Sequence, residues 1–82
     1  MPDQSEVVFT AAFDREVRVS PDRQRITHRA MAWSMDYPLD ELNRWIAFYE
    51  RMAQQPGTVR APADVEVLHK ARDLLAQEGP QP

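Results

Sequence analysis

Proline constrains this chain more than any other residue type. Seven prolines stand in it, at 2, 21, 38, 56, 62, 80 and 82, and the inner ones divide the chain. Each proline fixes its own φ and removes a backbone donor, so a helix can begin on one but cannot run through it undisturbed. Each segment is therefore read between its prolines.

The clearest segment is PLDELNRWIAFYERMAQQ, opened by Pro38 and stopped by Pro56-Gly57. Tyr37 precedes a proline and is pushed away from helical backbone. Asp40 and Glu41 suit the positive end of a helix. At about 100° per residue, Leu39, Leu42, Trp45, Ile46, Tyr49, Met52 and Ala53 form one stripe. Asn43, Arg44, Glu50 and Arg51 face away. The pattern predicts a helix over 38–54. Pro62 opens another over 62–77, with Val65, Leu68, Ala71 and Leu75 as its apolar face. Ser20-Pro21-Asp22 also carries a helix-start signature. It predicts a helix over 21–35 with Ile26, Ala30 and Trp33 on one face, and a strand over Arg25–Trp33 is the competing reading.

Ahead of these lies VVFTAAFDREVRVS. Its period-two alternation and β-branched residues predict strand. A hairpin with loop Asp14-Arg15-Glu16 would set Phe13 opposite Val17, and one long strand also keeps the phase. Arg15 is the single break in that phase. The expected fold is α+β: a short N-terminal β-strand or hairpin followed by three α-helices (21–35, 38–54, 62–77). It forms one small domain over 1–82, with loose ends at 1–5 and 79–82.

A chain of 82 residues has a thin core. There is no cysteine, so neither a disulfide nor a thiolate metal site or nucleophile is available. No apolar run reaches the roughly 20 residues that span a bilayer, and MPDQSE does not read as a signal peptide. The expectation is a cytoplasmic protein without a membrane role. The net charge of −3, with both signs mixed along the chain, argues against broad non-specific binding to nucleic acid.

No catalytic constellation is present. The two glycines are far apart, whereas a phosphate-cradling loop needs several together. His28 and His69 belong to no metal-spaced set and read as helix-surface histidines. Asp40 and Glu41 are helix neighbours pointing apart, not an acid–base couple. The expectation is a non-enzyme with no cofactor and no metal.

Binding is what remains. Two Trp, two Tyr and three Phe exceed what a thin core covers, and exposed aromatics with Met mark protein interfaces. Trp33, Tyr37, Trp45, Phe48 and Tyr49 are the candidate contacts with a protein partner or with a second copy in a homodimer. This build suits a small regulator or inhibitor, of the kind viruses and mobile elements carry. Alternatively, Arg18, Arg23, Arg25 and Arg29 form a candidate phosphate-contacting patch. A third reading is a structural or chaperone subunit that self-associates through an open strand edge.

The order REVRVSPD, a helix, a short turn and PLDELNRWIAFYERM resembles a ribbon-helix-helix DNA-binding regulator over Arg15–Met52. The resemblance implies a dimer whose paired strands enter the major groove, with Arg18 on the DNA-facing side. DNA is a partner only under that reading.

Overall fold

The structure is a computed structural model and describes residues 5–78. The expected loose ends, 1–5 and 79–82, lie outside the described residues except for Ser5. The chain forms a four-stranded antiparallel sheet from β1 (Val7–Ala11), β2 (Arg15–Val19), β3 (Arg25–Ala30) and β4 (Trp33–Pro38), in meander order. A single 3-10 turn, Leu39–Glu41, leads into α1 (Leu42–Ala53), and α2 (Ala61–Glu78) follows. Helix α2 packs on β1 and β2 and lies against α1.

The class is α+β, but the expected order of one β element and three helices is wrong. The segment 21–35 holds no helix. It contains β3 and the start of β4. The misreading has a physical source: Ile26 and Ala30 are four apart, a spacing that satisfies both the helical and the strand period. The true phase is Ile26, His28 and Ala30 inward, with Arg25, Thr27 and Arg29 outward. Ser20-Pro21-Asp22 caps a loop instead of a helix. Ser20 Oγ donates to Asp22 Oδ1 at 2.6 Å, and both side chains accept from the Gln24 amide. Arg23 takes a positive φ of 60° to turn the chain back.

The first hairpin exists, with its loop two residues earlier than expected. Phe9 pairs with Val17 and Ala11 with Arg15, leaving Ala12-Phe13-Asp14 as the loop. Phe13 and Asp14 both have positive φ, 61° and 58°. That backbone suits hairpin twist, although neither residue is the glycine such loops favour. The shift keeps odd-numbered residues inward. Val17 therefore lies in an inner strand, paired with Phe9 on one side and His28 on the other. The open edges of the sheet are β1 and β4.

The core lies between the sheet's inner face and the two helices. Val17, Val19 and Ile26 meet Leu42, Ile46, Val67 and Leu68 there. Each fully buried Val, Leu or Ile contributes roughly 1.5–3 kcal/mol.

Candidate binding site at the hairpin-turn end

At one end of the sheet, where the β1–β2 and β3–β4 turns lie, the inward positions stop being apolar. On β2 the inward series Val19, Val17 ends in Arg15. On β3 it passes from Ile26 to His28. Helix α2 brings down Asp64, one turn before Leu68 on the same helical face. Asp64 and His28 are buried, 2% and 0% exposed. Asp64 Oδ1 accepts from Arg15 Nε at 2.8 Å and lies 2.8 Å from His28 Nε2. A carboxylate ion-paired to Arg15 is an acceptor only, so His28 donates from Nε2. His28 Nδ1 is left buried without a hydrogen-bond partner, as is Tyr37 Oη. Asp64 also sits in the first turn of α2, where the helix end favours negative charge.

Aromatic rings surround this cluster. The His28 ring meets Trp33 and Tyr49 edge-on, with centroids 5.0 and 5.2 Å apart. Phe48 stands edge-on to Tyr49 at 5.2 Å. The Arg15 guanidinium lies 5.8 Å from the centre of the Trp33 ring. Burial pushes the phenols of Tyr37 and Tyr49 up from their ordinary value, and the nearby Asp64 charge adds to the shift in both.

Two adjoining clefts open above the cluster. The first, about 320 Å³, runs between Trp33, Phe48, Met52 and Arg60, with Tyr49, Arg15 and Asp64 also lining it. The second, about 230 Å³, lies between Phe13, Asp14 and Met31, and it too is lined by Arg15 and Arg60. The apolar side chains here are well exposed: Trp33 39%, Phe48 39%, Phe13 49% and Met31 82%.

The expected aromatic contacts divide accordingly. Trp33 and Phe48 reach the surface, and Tyr49 lines the first cleft from a buried position. Tyr37 is a core residue. Trp45 is half-buried, stacked on Tyr37 with centroids 5.7 Å apart, and lines neither cleft. Sequence reasoning missed Arg15, His28, Asp64, Phe13, Met31 and Arg60 as parts of one site. The signal for the first three was a polar residue standing in an apolar phase.

The arginine set divides as well. Register places Arg18, Arg25 and Arg29 on the sheet's outer face, because Arg18 pairs with Thr27 between the other two. Arg18 is tied to Glu16 and, at 3.2 Å, to Glu6. Arg23 leaves this group. It is buried and grips both carboxylate oxygens of Glu78 at 2.9 Å. It also donates to the Ser5 and Ser20 carbonyls. The ribbon-helix-helix resemblance does not survive. Its first helix is strand here, and β2, its DNA-reading strand, already has a neighbour on each side.

His28 is a buried strand residue rather than a helix-surface one. His69 bonds Glu50 of α1 at 2.9 Å. Among the described residues, no three His, Asp or Glu side chains are placed to hold a metal. No described helix is long and apolar enough to cross a membrane. No protein-family model matches the chain, and no characterised protein or solved structure matches it either.

Proposed function

We propose that this protein is a non-enzymatic binding module, a small regulator or inhibitor that acts by occupying a partner protein's surface with its hairpin-turn end. One observation carries the reading: Phe13, Met31, Trp33 and Phe48 are exposed together at that end, beside two arginines. Aromatic and arginine side chains supply most interface hot spots. The Arg15–Asp64–His28 cluster beneath supports the same reading. It ties β2, β3 and α2 together, so the exposed rings stand on fixed backbone and lose little freedom on binding.

The test is capture from native-host lysate by the tagged whole chain, with and without nuclease, read by mass spectrometry. The expected result is one protein recovered in near-equal amount from both samples and lost with Phe48→Ala. Recovery that depends on nucleic acid, or that Phe48→Ala leaves intact, contradicts the reading.

A second reading rests on the outer sheet face, where Arg25 and Arg29 project beside Thr10, Thr27 and Ser34, with Arg18 already paired to Glu16 and Glu6 and Asp36 on the same face. Such a face suits phosphate contacts. It predicts binding to nucleic acid that weakens steeply with salt, and with a shallower slope in Arg25→Ala. Salt-independent binding removes it.

A further inference from the structure

We infer that the partner segment seated on the hairpin-turn end carries a carboxylate flanked by two large apolar side chains. The inference rests on the protein-binding reading above and specifies its partner. Arg15 is committed: its Nε holds Asp64 and a terminal nitrogen donates to the Phe13 carbonyl. Arg15 and Asp64 thus cancel. Arg60 has no carboxylate within ion-pair distance among the described residues, and its guanidinium lies 5.8 Å over the Phe13 ring. Asp14 lines the second cleft but is exposed and makes no ion pair with Arg60. The first cleft is therefore left with one uncompensated cation.

Arg60 lines both clefts. Apolar surface lies to either side of it, Trp33, Phe48 and Met52 in one cleft, Phe13 and Met31 in the other. A bound segment with an apolar side chain in each cleft presents its intervening residue to Arg60. Those apolar groups displace water from around the guanidinium, and a charge-assisted bond strengthens as local dielectric falls. The two-cleft layout favours a peptide segment over a compact small molecule, which would fill one cleft and leave the apolar wall of the other in water.

The probe is acetyl-Leu-Glu-Leu-amide, with acetyl-Leu-Gln-Leu-amide and acetyl-Ala-Glu-Ala-amide as comparisons. Each is titrated to millimolar concentration into the whole isotope-labelled chain. Amide and indole resonances report the site. The Glu-centred leucine peptide should shift Trp33, Phe48 and Met31. The Gln-centred peptide should bind roughly tenfold more weakly, the scale of one charge-assisted hydrogen bond. Arg60→Gln should erase that preference and Arg60→Lys should keep part of it. An unperturbed spectrum elsewhere shows that each variant is folded.

Equal affinity for the Glu and Gln peptides overturns the inference and leaves the binding end itself standing. Shifts confined to the outer sheet face, or none, also overturn it, while lysate capture decides the parent reading independently. Concentration-dependent self-association abolished by Phe48→Ala would make the occupant a second copy of this chain, and that overturns it too.

Discussion

His28 Nε2 lies 2.8 Å from Asp64 Oδ1 across 36 residues of sequence, and Arg15 Nε meets the same oxygen at 2.8 Å. Three ionisable groups thus share one contact in a domain with little core to spare. Asp64→Ala leaves the Arg15 cation and the His28 imidazole without their acceptor. Removing one partner of a buried pair is expected to destabilise the fold by about 3 kcal/mol. Glu66, whose bond to Lys70 is exposed, should change stability by no more than about 0.5 kcal/mol on replacement by Ala. Urea unfolding of both variants checks the contrast. Equal midpoints would mean that the cluster does not hold the sheet to α2.

Tyr37 gives the pH prediction. Its phenol is buried, bonded to nothing, and pushed well above its ordinary value of 10.0 by burial. Raising the folded value of an acid favours the neutral form in the folded state. Above pH 10 the unfolded chain loses the proton first, so stability falls as pH rises. Below that range Tyr37 contributes no slope. Tyr37→Phe should flatten the alkaline loss at no cost near neutrality, because no hydrogen bond is removed. Thermal melts from pH 7 to 11 measure it. An unchanged alkaline slope in the variant would contradict the account.

The end of α2 is held by Arg23. Its guanidinium holds the Glu78 carboxyl below the usual carboxylate range, mainly through their hydrogen bonds. A depressed carboxylate contributes stability above its unfolded value and loses it as pH falls. Arg23→Ala should therefore speed hydrogen exchange over the last turns of α2, whereas Arg25→Ala should not. Acidification should produce the same local loosening. Uniform exchange along α2 in Arg23→Ala would show that the clasp is not needed.

Trp45 and Phe48 separate stability from binding. Trp45 stacks on buried Tyr37, and its indole donates to Glu41 at 3.3 Å. Trp45→Ala should cost about 2 kcal/mol, below the full range for a core aromatic because Trp45 is only half-buried. Phe48→Ala should cost well under half of that and weaken association at least tenfold, as hot-spot truncations do. A reversal of the two effects would place the interface behind the cleft.

The two helices were readable from sequence, where period and punctuation agree, and the four-stranded sheet was not. Helix α1 shows its stripe between Pro38 and Pro56, although the first residues after Pro38 form a 3-10 turn. Strands β3 and β4 were hidden because Ile26 and Ala30 fit two periods and Ser20-Pro21-Asp22 carries a capping signature. The site was hidden for another reason. Arg15, His28 and Asp64 each look like an isolated flaw in an apolar pattern. Only the sheet register and the packing of α2 bring the three flaws together. Phe13, Met31 and Arg60 lie in loops, where no period predicts neighbours.

The most direct measurement is a titration of the lysate-captured partner into the labelled chain, with residue-resolved shifts read in both the amide and indole regions. The account predicts shifts centred on Phe13, Met31, Trp33, Phe48 and Arg60, with the Trp45 indole little moved. Shifts centred instead on Arg18, Arg25 and Arg29 would contradict it and place recognition on the open face of the sheet.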